Sequence, residues 1–234
     1  MQASFATPFV TQGGDRPLFE WRWVERNSDA IAQRLGEHLA LTATALAIGL
    51  VVSIGLAIVS LRHRRFYAVT IGTTGALYVI PSLAAFALLV PFFGVGSFLS
   101  AVIPLATYTL LILVRNIVTG VDQVPRDVRE AAIGMGFTRS KLLWQVELPL
   151  ALPVVIAGLR VAAVTTIGLV TVTSLLGKGG LGYFILIGIQ APIPYPSPII
   201  AGIVLSVVLA VAVDLVLWLS ERVLAPWARK AAVR

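Results

Sequence analysis

Residues 115–149 read RNIVTGVDQVPRDVREAAIGMGFTRSKLLWQVELP, a charged interruption between apolar segments long enough to cross a bilayer. Within it, Pro125 suits a first helical position, and Asp127 and Glu130 fall in or near the first turns, where the helix dipole favours acids. Val128, Ala131, Ala132 and Met135 recur at spacings of three and four, so this short helix has an apolar side to dock. Gly134 and Gly136 are expected to end it, because glycine accepts the left-handed backbone that helix termini often need. Phe137, Leu142, Leu143 and Trp144 follow, mixed with Arg139 and Lys141, before Pro149 and Pro153 reset the backbone. A short amphipathic helix between two spans suits a docking site for a soluble partner.

The 234 residues are 58% hydrophobic and only 12% charged, too little charge to build the exterior of a soluble domain. The expected fold class is an all-α polytopic membrane protein with about five transmembrane helices, at 39–61, 68–90, 97–114, 150–176 and 199–219. Residues 1–37 form an N-terminal extension. Trp21 and Trp23 suit a membrane interface, and the run to Leu35 reads either as a helix lying along the surface or as a partly ordered polar extension. Residues 38–224 are expected to form the membrane domain and 225–234 a basic tail. No cleavable signal is apparent in Met1–Val10. Zero cysteines exclude disulfides and thiolate metal sites.

Several positions have a packing or backbone role. Ala45, Gly49, Ser53 and Ala57 recur every four residues, as do Gly202, Ser206 and Ala210 later, each a stripe for close helix packing. Pro81 interrupts the second span, and a proline kink inside a membrane is tolerable where the helix faces protein or a water path. Gly177-Lys178-Gly179-Gly180-Leu181-Gly182 is a turn rather than a phosphate-binding loop, since Gly179 stands where Ser or Thr would follow the lysine. The prolines at 192, 194, 196 and 198 read as an external loop.

Charge sets the expected orientation. Residues 62–65, 115–149 and the C-terminal tail carry twelve Lys and Arg, against five on the opposite side. The positive-inside rule therefore puts the 115–149 segment and the C-terminus in the cytoplasm and the N-terminus outside, in a multi-pass protein of the cell membrane. Excess positive charge in such a chain reflects topology, and nucleic acid is not an expected partner. Two charges, Arg160 and Asp214, remain inside spans at similar depth. They are read either as an ion pair, or facing one water-accessible cavity, with a snorkelling Arg160 as the alternative.

The pattern Glu130-Ala131-Ala132, Gly136, Val146, Leu148-Pro149 resembles the cytoplasmic loop of ATP-binding cassette (ABC) importer permeases of the type I fold, with valine in place of the usual isoleucine. Ile80-Pro81-Ser82-Leu83-Ala84, Pro91, Gly94-Val95-Gly96, Leu175-Leu176-Gly177 and Gly179-Gly180-Leu181-Gly182 resemble the osmoprotectant subgroup, whose solutes are glycine betaine, choline and carnitine. The resemblance runs from about Leu39 to Leu224. It implies that Asp127, Glu130, Ala131, Ala132, Gly134, Gly136, Leu148 and Pro149 belong to a coupling helix and its exit, seated in an ATPase subunit. It further implies two cytoplasmic ABC ATPases, a second permease (the same chain or a sister) and an extracytoplasmic solute-binding protein.

The chain shows no catalytic nucleophile, paired catalytic carboxylates, metal cluster or nucleotide-binding fingerprint, so it is not expected to be an enzyme. No cofactor is expected in it; ATP would bind the partner ATPase. Tyr183, Phe184 and Tyr195 could touch a passing cation, although interface aromatics explain them equally. The competing readings are an importer of another small amino acid or cation, a self-contained secondary transporter, and a non-transporting membrane scaffold.

Overall fold

The computed structural model describes residues 18–227, which are helical nearly throughout, and no strand occurs among them. In chain order the helices are α1 (Trp21–Arg26), α2 (Ser28–Arg62), α3 (Arg64–Val79), α4 (Ser82–Phe93), α5 (Phe98–Asp122), α6 (Arg126–Gly134) and α7 (Arg139–Leu142). A π-helical turn, Leu143–Glu147, joins α7 to α8 (Leu148–Val172), which ends in a 3₁₀ turn, Thr173–Leu176. Then come α9 (Gly182–Gln190) and α10 (Pro196–Leu224).

The bundle is built around α5, which packs against α2, α3, α4 and α8. The α2 stripe of Ala45, Gly49, Ser53 and Ala57 is buried, and the two helices meet there closely. A Cβ on Gly49 would lie 1.8 Å from Thr109 Oγ1, so only glycine allows this approach. Lipid offers no hydrophobic gain for joining two helices, and close contact of small residues supplies the attraction instead. One apolar core joins Leu41 and Ala45 of α2, Phe86 of α4, Leu105 of α5 and Val170 of α8. A second joins α9 to α10 through Ile167, Leu181, Phe184 and Leu209.

Four spans are longer than expected. α2 continues upstream through 28–38, because nothing between Ser28 and Arg62 breaks it; no proline lies in that run, and Gly36 alone does not stop it. At about 1.5 Å per residue it reaches roughly 52 Å, well beyond a hydrocarbon core of about 30 Å. The run to Leu35 is therefore ordered helix, the short α1 followed by the first turns of α2, rather than a loose extension. It is tied to the end of the bundle opposite the basic turn. Ser197 accepts the Glu20 N–H at 3.0 Å, Tyr195 donates to Glu20 at 3.1 Å, and Trp23 meets Phe184 edge-on at 5.5 Å. Burial, and then the Glu20 hydrogen bond, raise the Tyr195 phenol above its usual pKa, so it remains a donor.

Likewise α5 runs to Asp122, past the expected exit at Arg115 and Asn116, since Asn116 donates to its own Ile112 carbonyl at 2.8 Å. The expected fourth span, 150–176, is entered by continuous helix from Arg139, so the 115–149 interruption shrinks to the stretch between α5 and α7. Prolines at helix starts are tolerated, and α10 begins at Pro196, inside the expected external loop.

The second span departs most. α3 and α4 meet at 89° around Pro81, so 68–90 is not a merely kinked helix. Four helical stretches among the described residues are long and apolar enough to cross a membrane, and the bent pair supplies the fifth if counted as one. The basic tail residues Arg229, Lys230 and Arg234, like residues 1–17, lie outside the described residues.

Replacing Gly49 with leucine should destabilise the fold by about 1–3 kcal/mol through overpacking against Thr109. Gly55→Ala, at a site with open space, should shift the apparent unfolding midpoint in detergent little; equal effects would count against the seam.

Candidate functional site

The short helix expected in the 115–149 stretch is α6, and its construction is local. Pro125, at φ −56°, precedes it as the N-cap rather than occupying its first position, with Asp127 in the first turn. It closes in a Schellman arrangement: Phe137 N–H donates to Ala132 O at 3.1 Å and Gly136 N–H to Ile133 O at 2.9 Å. Gly136 has φ +81° and ends the helix alone, whereas Gly134 stays inside it.

The apolar stripe divides between two sides. Ala132 is buried against the bundle, while Val128, Ala131 and Met135 face outward together with Ile133 and Trp144. Asp127, Glu130, Gly134 and Gly136 are also exposed, and Leu148 and Pro149 are half-buried at the start of α8. The outer side of α6 thus carries two carboxylates, Asp127 and Glu130, flanked by exposed apolar side chains.

What mounts this patch is a residue that sequence reasoning counted only as charge. Arg129 donates to the Val121 carbonyl at the end of α5, and its Nε lies 3.0 Å from Glu147 Oε1 in the π-helical turn. That separation suits an ion pair, although Nε is not aligned for a hydrogen bond. Beside it, Arg64 at the start of α3 pairs bidentately with Asp122 of α5. Eighteen residues separate Arg129 from Glu147, so no local spacing marks the pair. A cavity of about 600 Å³ lies alongside, lined by Arg62, His63, Arg129, Arg139 and Glu147.

Arg160 and Asp214 come together far from α6. Arg160 Nε donates to Asp214 Oδ1 at 2.8 Å and Nη2 to Oδ2 at 2.7 Å, joining α8 to α10. The bidentate geometry answers the cost of charges within apolar helices by giving each its opposite.

Tyr183, Phe184 and Tyr195 are engaged in packing. The Arg34 guanidinium sits 4.0 Å over the Tyr183 ring, Phe184 is buried, and Tyr195 holds Glu20. His38, passed over in the sequence, is fully buried. The Leu181 N–H donates to its Nδ1 at 3.3 Å, so its Nε2–H donates to Ile167 O at 3.1 Å. This bridge ties α2 to α8 and to the glycine turn, where a Cβ on Gly180 would lie 2.7 Å from that of His38.

The profile of the family described as "Binding-protein-dependent transport system inner membrane component" matches residues 39–225. The glycine betaine/carnitine/choline transport system permease protein of Bacillus subtilis is 33% identical over 204 residues, 87% of this chain and 93% of that protein. The osmoprotectant import permease protein of Salmonella typhimurium is 35% identical over 205 residues, 86% and 94% respectively. Among solved structures, the MetNI methionine ABC transporter in inward-facing conformations superposes with TM-score 0.73 at 21% identity, over 87% of this chain and 97% of that one. An amino acid ABC transporter does so with TM-score 0.74 at 20% identity, over 87% and 98%. These two likenesses are of fold.

Exchanging the charges tests the intramembrane pair. Arg160→Asp and Asp214→Arg should each lower the amount of inserted, folded protein, and the double exchange should restore most of it. A double variant no better than either single one would show that the two do not depend on each other.

Proposed function

The chain belongs to the family of binding-protein-dependent transport system inner membrane components, and from that premise we propose that it forms the translocation path of an ABC importer for small quaternary ammonium osmoprotectants, the glycine betaine, choline and carnitine class. The solute class is supported by what its relatives of 33–35% identity are named for. The observation that carries the mechanism is the outward-facing patch on α6, braced by Arg129 against both α5 and the root of α8.

In this reading α6 is the coupling helix. Asp127, Glu130, Ala131, Gly134 and Gly136 meet a cytoplasmic ATPase, while Ala132 seats the helix on the bundle. Force on α6 passes through Arg129 to Glu147, and so into the π-helical turn and α8 past Leu148 and Pro149. A π turn has wider and weaker hydrogen bonding than α-helix, which makes it a natural point of flexure. ATP is consumed in the partner, and this chain supplies motion and path. A path open alternately to either side needs two permease domains, so a second copy or a sister chain lies opposite. The N-terminus and the α1–α9 surface then face outside, where a solute-binding protein delivers its cargo, and the basic turn 62–65 faces the cytoplasm in keeping with its charge.

In vesicles containing this chain with its ATPase and binding protein, ATP-dependent uptake of labelled glycine betaine should fall at least about tenfold with Glu130→Lys or Gly136→Asp, a loss of about 1.4 kcal/mol or more in coupling, while the complex still inserts. Gly136→Asp fails for two reasons, since it forces a side chain into φ +81° and adds charge at the docking surface. Unchanged uptake in both variants would remove α6 from the coupling role.

A further inference from the structure

The 89° break between α3 and α4 leaves backbone groups bare within the membrane. Pro81 contributes no N–H, and the Ile80 N–H turns back to Leu77 O at 3.3 Å. Tyr108 of α5 donates its hydroxyl to Ile80 O. Tyr78 and Val79 lie in the last turn of α3, where carbonyls have no partner within their own helix. The depth of the break follows from α5. Arg64 meets Asp122 at one end of the α3–α5 contact, and Tyr78 meets Tyr108 edge-on at 5.8 Å fourteen residues further along both helices. The break therefore lies about 21 Å from the charged end, inside a hydrocarbon layer of about 30 Å.

Non-helical backbone at that depth is stable only where it faces protein or a water-filled path. The chain itself covers little of it, with Val79 80% exposed and Tyr78 and Ile80 both 38% exposed. The surrounding chemistry is one-sided. α3 and α4 carry no acid, and their only charges are Arg64 and Arg65 at the far end. What the break offers is the carbonyl oxygens of a helix end and an aromatic ring. Both attract cations, and neither is a fixed counter-charge. A carboxylate would hold a cation that must move on, whereas dipoles and a π face bind weakly enough to release it.

We propose that this break lines the translocation path and is a transient subsite for the trimethylammonium head of the solute, held by the Tyr78 ring and the carbonyl oxygens of Tyr78 and Val79. The subsite rests on the reading of two permeases moving a quaternary ammonium solute. Tyr108 is its positioning residue: its hydroxyl is committed to Ile80 O, and its ring keeps Tyr78 at the break.

The chain has no cysteine, which permits a direct test in the assembled transporter, its other subunits freed of reactive thiols. Val79→Cys should be modified by trimethylammonium-ethyl methanethiosulfonate, a water-soluble reagent carrying the proposed head group, and excess glycine betaine or choline should slow the reaction. Tyr78→Leu should raise the solute concentration for half-maximal uptake by about five- to thirtyfold, the range expected for a lost cation–π contact, while Tyr78→Phe stays within about twofold. An unreactive or solute-insensitive Val79→Cys, or a Tyr78→Leu variant with unchanged uptake, overturns the subsite and leaves the importer reading standing. An unaltered assembly that takes up no quaternary ammonium solute overturns the substrate assignment, and the subsite with it.

Discussion

The contact of α2 with α5 at Gly49 governs the arrangement of the other helices. Because Gly49 brings no side chain of its own against Thr109 and the Ala106 carbonyl, α5 sits deep in the bundle, and it can then present residues to α3, α4 and α8 at once. In water such a seam would be assisted by the hydrophobic effect. In lipid it depends on dispersion contacts, which lose about a quarter to a half of their strength when the gap widens by about 0.5–1 Å. The rest of the molecule depends on that short distance being kept.

From α5 the two ends of the bundle acquire different characters. One end is ionic: Arg64 with Asp122, and Arg129 bridging Val121 to Glu147. The other is knit by aromatic rings, hydrogen bonds and the buried His38, with one local ion pair, Arg34 with Glu37. The exposed Arg64–Asp122 pair contributes little to stability, whereas Arg129 and Glu147 are half-buried and their pairing is costlier to break. The opposite end is filled with packed side chains that must move together.

The membrane class, the small-residue stripes and the helix at 126–134 were legible because each is written in local spacing. Gly136 was legible as a terminator for the same reason, since one left-handed residue suffices to end a helix. Other features were not, and the causes are physical. Arg115 and Asn116 read as an exit although helix continues past them, because a polar side chain can bond its own preceding turn. Pro81 announced a kink, but its angle depends on Tyr108 and on what α4 packs against, both remote in sequence. The Arg129–Glu147 and Arg160–Asp214 pairs join helices that only tertiary structure brings together. The outward turn of Val128 and Met135 was hidden because the apolar stripe of so short a helix does not say which partner it awaits.

The π-helical turn at Leu143–Glu147 sets a phase. A single residue inserted into an α-helix is accommodated as such a turn, and each residue rotates what precedes it by about 100°. The facing of α7, with Arg139 and Lys141, relative to the membrane-embedded α8, with Arg160, is thus fixed by one unit of chain length rather than by any contact between them. Removing that unit would leave every apolar residue of the span in place and turn the basic segment to a different side.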